Sequence, residues 1–208
     1  MQKLIRSVNK LKKTPIKKTI DGRIASFKRL GKKSADEIFK ELCFCIMTAN
    51  FSADRGIAIQ NKIGDGFLYE GGAEMATRLK QCGHRFPNTR AKYIVEARKH
   101  SKSLAEKLQS LKNDEDARLW VADNIKGLGM KEASHFLRNI GRKNCAIIDF
   151  HIVDILADNG LIKRPKTITK RTYLEIEAVL KTLASRLHLT LAELDLYLWY
   201  LETGKVLK

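Results

Sequence analysis

Proline is scarce in this chain, with three in 208 residues, and no stretch sustains the apolar–polar alternation of a half-buried strand. Neither helix breakers nor a strand pattern stands in the way, so helices are left to build the core. A long apolar run is also lacking. A bilayer span needs about 20 predominantly apolar residues, and no segment supplies them. The opening "MQKLIRSVNKLKK" has no apolar signal core, which leads us to expect a cytoplasmic chain. Cysteine is limited to Cys43, Cys45, Cys82 and Cys145, and Cys43 and Cys45 stand too close for the usual zinc-ligand pair. Reduced, buried thiols and no metal are expected. Internal repeats and low-complexity segments are absent.

Acidic charge is the largest shortage. Forty Lys and Arg face 23 Asp and Glu, for a formal net charge of +17. The excess is concentrated at the start, where residues 1–33 carry twelve Lys or Arg against one acid, Asp21. Such a surface attracts polyanions, and the phosphate backbone of nucleic acid is the usual one. An anionic membrane is the competing partner. The basic segment lacks the wide apolar face and aromatic anchors of an interfacial helix, which favours nucleic acid.

What is present is helical almost throughout, and 44% of residues are apolar, enough for a core. "SADE" (Ser34 to Glu37) and "TLAE" (Thr190 to Glu193) are capping-box patterns in front of apolar periodic runs. Pro87 suits the first turn of "PNTRAKYIVEARKH". "DEDARLWVADNI" (114–125) opens with three acids, which suits a helix amino end. "FHIVDILADNG" closes on Asn-Gly, a common helix stop. We expect an all-α chain of short helices.

The chemistry concentrates in "GLGMKEASHFLRNIGRKNCAIIDFH", residues 127–151. Residues 114–125 and 130–140 read as two helices joined by "KGLGM", with Ala133, Phe136, Leu137 and Ile140 marking one buried face. Gly127 and Gly129 allow backbone angles that a side chain forbids and leave main-chain N–H groups bare at a helix start, suited to one DNA phosphate. Lys131 sits one step inside that start, where positive charge is disfavoured. The helix dipole and burial between lobes would both favour its neutral amine, which is the nucleophilic form. A plain phosphate ligand is the other role that the spacing admits. Asp149 follows eighteen residues on, a good helix cap, yet approached through the apolar "AII". A carboxylate facing a lysine across a dry cleft can break a glycosidic bond. The amine attacks the anomeric carbon, and the carboxylate stabilises the developing positive charge.

"IKGLGMKEASHFLRN" with "AIIDFHIVDIL" resembles the helix–hairpin–helix DNA glycosylase superfamily. "CIMTANFSADRGIAI" and "RFPNTRAKYIVEAR" extend the likeness over most of the chain. The lack of a four-cysteine iron–sulfur loop and the ending "ETGKVLK" make it most similar to the archaeal-type 8-oxoguanine DNA glycosylase/lyase class. That resemblance implies two helical lobes, residues 1–30 with 149–208 and residues 31–148. The hairpin then falls at about 114–140, and the active site lies in the cleft between the lobes. It implies excision of 8-oxoguanine from double-stranded DNA, then β-elimination through a Schiff base on Lys131, with Asp149 as partner. Gly127 and Gly129 would hold a phosphate, with no cofactor beyond a monovalent cation on hairpin carbonyls.

Asn50, otherwise an ordinary helix-end residue, would fill the gap left by the extruded nucleotide, and Arg85 and Arg90 would grip phosphates. A flipped base needs flat or apolar walls, for which Phe86 and Trp199 are candidates unless they belong to the core. The N7 hydrogen of 8-oxoguanine calls for an acceptor, which the terminal carboxylate at Lys208 would provide. His135 and His151 are expected to be surface or packing residues. A monomer is expected. Another lesion, or a non-catalytic DNA-binding hairpin module, are the rival readings.

Overall fold

A computed structural model of the chain describes all 208 residues as thirteen α-helices, one short 3-10 turn and no strand. In order they are α1 (Gln2–Leu11), α2 (Ile16–Leu30), α3 (Ala35–Thr48), α4 (Ala53–Ile63), α5 (Gly66–Tyr69), α6 (Gly72–Gln81) and α7 (Pro87–Ala97). There follow α8 (Leu104–Ser110), α9 (Asp114–Asn124), α10 (Met130–Asn139), α11 (Phe150–Asp158), α12 (Lys170–Leu187) and α13 (Leu191–Thr203). None is long and apolar enough to cross a membrane.

Local chemistry explains most of the boundaries. Pro87 begins α7, where its missing N–H costs nothing. Thr190 and Glu193 make a reciprocal capping box at α13. At Ser34 only half of that device forms. The Ser34 hydroxyl accepts from the Glu37 N–H at 3.4 Å, but Glu37 turns its carboxylate to Lys33 and Lys40 instead of back to the cap. Two surface ammonium groups outbid one backbone N–H for an exposed acid. Asn159 and Gly160, with φ of +65° at the glycine, end α11 as the Asn-Gly pattern predicts.

Two apolar cores form. One gathers buried side chains from Ile38 to Cys145, with α3 buried continuously from Glu41 to Thr48; the other joins Leu4–Phe27 to Ala146–Leu198. Ala146 and Ile148 pack in the second core, so the chain changes lobe just after Cys145. All four cysteines are free, Cys82 half-buried and the rest buried, and burial pushes the Cys145 thiol up to about 12.

The crossing segment, residues 140–149, is held from both sides. The Asp114 carboxylate accepts from the backbone N–H groups of Lys143 and Asn144 at 3.0 and 2.9 Å, and from Arg142. Glu177 on α12 accepts from the Ala146 N–H at 2.8 Å, while both of its oxygens accept from buried Arg118 on α9. The Tyr173 hydroxyl accepts from the Ile148 N–H and donates to the Ala146 carbonyl at 2.6 Å. Removing one member of a buried pair such as Arg118–Glu177 leaves an uncompensated charge and costs about 3–5 kcal/mol. These ties fix where α11 begins, and Asp149 is its first cap.

Candidate active site

The hairpin forms as α9, a tight turn over 125–129, and α10. Gly127 has a φ of +91°, and a Cβ there would stand 2.3 Å from the Tyr93 ring, so this position requires glycine twice over. Gly129 has ordinary extended angles, and a Cβ would meet only Glu132 at 3.6 Å. It is the N-cap of α10, with no side chain capping the helix, so the first N–H groups of α10 face outward at the positive end of its dipole.

Lys131 stands one residue inside that end. Its amine is not stripped of water as the sequence suggested: the side chain is 31% exposed, and the Nζ pairs with Glu132 at 3.1 Å. Glu132 itself is only 14% exposed. A helix end can bury the root of a lysine while its long stem carries the amine into a cleft that solvent still reaches. Asp149 caps α11, its Oδ1 accepting from the Ile152 N–H at 3.0 Å. The capping role and the active-site role fall on the same carboxylate, with one oxygen held and the other left over.

Lys131, Glu132 and Asp149 lie on the divide between two hollows. The inner chamber, about 320 Å³, is walled by Phe51, His135, Ile147, Trp199, Leu207 and Lys208 and edged by Arg138 and Asp195. The outer groove, about 330 Å³, is lined by Asn50, Phe150, Thr169, Lys170 and Tyr173 beside the same three residues. No other residue is shared between the two.

Several expected site residues meet here and others do not. Trp199 and Lys208 line the chamber, and Asn50 lines the groove. Asn50 is exposed at the α3–α4 turn with a left-handed φ of +58°, a conformation that Asn tolerates. Phe86 is not a chamber wall. It is 37% exposed at the head of α7, with the Arg85 guanidinium 5.1 Å over its ring, because Pro87 starts a helix on the surface and leaves the preceding residue outside. The apolar wall comes from Phe51, stacked on His84 at 4.3 Å. Arg90 is no phosphate clamp either. It is buried and donates to the Ala49 carbonyl at 2.6 Å, bracing the turn that presents Asn50. Arg85 is exposed.

His135 is a chamber wall as well as a packing residue. Burial, with Arg138 and Lys131 nearby, holds its imidazole well below the usual range, and so neutral. Its Nε2 and the Trp199 Nε1 are buried without a protein partner. Asp195 pairs with Arg138, yet burial pushes its carboxyl up from the ordinary value. His151 is exposed, edge-on to Trp199 at 5.7 Å. Phe51, Glu132, His135 and Asp195 join the lining without a place in the sequence pattern. Only Glu132, next to the lysine in sequence, offered a local clue.

Comparison with known proteins agrees along the whole chain. The family model described as 8-oxoguanine DNA glycosylase matches residues 20–189. The 8-oxoguanine DNA glycosylase/AP lyase of Methanocaldococcus jannaschii is 52% identical over 206 residues, covering 99% of each chain. Its counterpart from Korarchaeum cryptofilum is 47% identical, covering 99% of this chain and 98% of that one. The crystal structure of the M. jannaschii glycosylase/lyase in complex with a 15mer DNA containing 8-oxoguanine superposes with a TM-score of 0.96 at 51% identity, covering 99% of both chains.

Proposed function

The chain belongs to the 8-oxoguanine DNA glycosylase family and is a bifunctional glycosylase and abasic-site lyase of DNA repair; from that premise we propose that Lys131 is its nucleophile and Asp149 the partner carboxylate. The observation that carries this reading is the position of the pair on the divide between a base-sized chamber and an open groove. A nucleotide rotated out of a duplex needs that arrangement, with base inward, sugar at the divide and backbone outward.

The reaction then runs as follows. The Lys131 amine gives up a proton, for which Glu132 at 3.1 Å is the acceptor at hand, with Asp149 on the same divide. Its lone pair attacks C1′ as the bond to the base breaks, and the electron pair leaves with the base, which takes up a proton. The Asp149 carboxylate stabilises the positive charge that develops on the sugar. The C1′–O4′ bond then breaks, its electron pair leaves on O4′, which takes up a proton, and the iminium forms on Lys131. Loss of a C2′ proton then expels the 3′ phosphate by β-elimination and nicks the strand.

The remaining assignments belong to the same reading. Gly127 and Gly129 present main-chain N–H groups to a phosphate, and exposed Arg85 is a second phosphate contact. A monovalent cation there would be held by the neutral carbonyls of residues 125–129, a donor set of the hard-oxygen type; no step depends on it. Asn50 enters the gap left by the base. Trp199 and Phe51 flank the extruded ring, and the main-chain oxygen of Lys208 accepts its N7 hydrogen. Action as a monomer, on the DNA of the prokaryotic cytoplasm, is part of the same proposal.

Borohydride reduction tests the nucleophile. A duplex carrying 8-oxoguanine opposite cytosine should yield a covalent adduct with the wild type and none with Lys131→Gln. An undiminished adduct from the variant would remove Lys131 from the mechanism. A set of duplexes with oxidised pyrimidines or alkylated purines should give far less product.

A further inference from the structure

The last residues leave α13 at Gly204, whose φ of +69° turns the chain, and cross from the terminal lobe to the central one. There the Lys208 side chain enters a socket. Its ammonium lies 2.8 Å from Glu41 Oε2, 2.5 Å from Gln60 Oε1 and 4.3 Å from the centre of the Phe44 ring. An ammonium offers three donors and no acceptor, and it meets a carboxylate, an amide oxygen and an aromatic face.

The socket is built and rigid. Glu41 is 2% exposed, and its other oxygen accepts from Asn139 Nδ2 at 2.7 Å. The Gln60 amide nitrogen donates to Glu41 and to the Lys40 carbonyl, which turns its oxygen toward the lysine. Glu41 and Phe44 lie on α3, Gln60 on α4 and Asn139 on α10, so three helices hold the receptor. A carboxylate buried to this degree requires paired charge and full hydrogen bonding, and Lys208 supplies both. Residue 208 is therefore anchored by its tip while its main chain forms part of the chamber wall beside His135.

We infer that Glu41 is a specificity-determining positioning residue: by gripping the Lys208 ammonium it sets where the main-chain oxygen of Lys208 stands against the flipped base. The inference rests on the reading of that oxygen given under Proposed function. Glu41 lines neither hollow, and its route to the base is the Lys208 side chain.

The test compares excision of 8-oxoguanine and of undamaged guanine, both opposite cytosine, under single-turnover conditions. The proteins are the wild type, Glu41→Gln, Lys208→Met, the double variant, and a chain lacking Lys208. Lys208→Met removes the ammonium and keeps the main chain. Each single variant should lose at least about tenfold of the preference for 8-oxoguanine, as displacement of a recognition atom by a fraction of an ångström implies, and the double variant should lose no more than either. A purely structural loss would slow both substrates alike. If the two losses multiply in the double variant, Glu41 does not act through Lys208 and the inference fails. If both single variants keep their preference while the chain lacking Lys208 loses it, the socket is idle but the reading of the main-chain oxygen survives. If that shortened chain also discriminates normally, the reading itself falls and the inference with it. Should Glu41→Gln fail to fold, Lys208→Met alone decides.

Discussion

On the inner side of Lys131 two charged groups are held by buried or half-buried partners: Arg138 by Asp195 and Asn139, and Lys208 by Glu41 and Gln60. On the outer side Asn50, Phe150, Thr169 and Lys170 are exposed. These pairs are already formed, and so this part of the chamber wall keeps its shape before a ligand arrives. The groove sets exposed side chains over a buried floor that includes Ile148 and Tyr173. Rigid surroundings suit the discrimination of one base from another, because a misplaced acceptor cannot shift to meet the wrong edge. Exposed surroundings that include Lys131 and Lys170 suit a backbone whose sequence does not matter.

The comparison can be pressed hardest at the divide. Asp149→Asn should lower turnover of the 8-oxoguanine duplex by about 100-fold or more, since a charge acting on the developing cation is gone. Binding should survive, and the melting free energy should stay within about 0.5 kcal/mol, because Asn caps a helix as well as Asp does. Asp149→Ala should show the same kinetic loss plus about 1 kcal/mol of instability from the missing cap. Equal stability losses in the two variants would show that capping and chemistry do not separate there. A smaller effect is expected on the groove side. Gly127→Ala should destabilise by about 1–3 kcal/mol and weaken DNA binding, through a left-handed backbone and the Tyr93 contact. Gly129→Ala should cost under about 1 kcal/mol, as the loss of a mediocre cap. Thermal melts with a binding titration on each variant measure both.

The smallest effect belongs to the chamber wall. Because the folded protein holds His135 below its unfolded value, protonation favours the unfolded chain. The contribution to stability is full above the unfolded value, near 6.5, and drains away as pH falls toward the lower folded value. His135→Gln should therefore flatten part of the decline in melting temperature between about pH 6.5 and pH 5. An unchanged slope would mean that the wall is open to water. His84, also lowered by burial, accounts for a share that the variant leaves in place.

The hairpin, the Lys131–Asp149 spacing and most helix ends were readable because each depends on residues within a turn or two. Even the departures are instructive. Ser34 and Glu37 carry the right letters for a capping box, yet neighbouring lysines took the acid. Arg90 carries the right charge for phosphate, yet the α3–α4 turn needed a buried donor for the Ala49 carbonyl. Phe86 is aromatic beside a functional turn, yet Pro87 left it on the outside, while Phe51 took the wall.

Taken alone, the amino-acid order decided that this chain is helical, that it turns at Gly127, and that a lysine and an aspartate stand at the starts of two helices. Those outcomes follow from backbone sterics, periodicity and capping, which act over a few residues. Only the tertiary structure decided that Glu41 would meet Lys208 across 167 positions, that Arg118 would meet Glu177, and that the amine would stand between an inner chamber and an outer groove. A charged side chain chooses its partner by what burial brings within reach, and that is fixed only when two cores have packed against the same crossing segment.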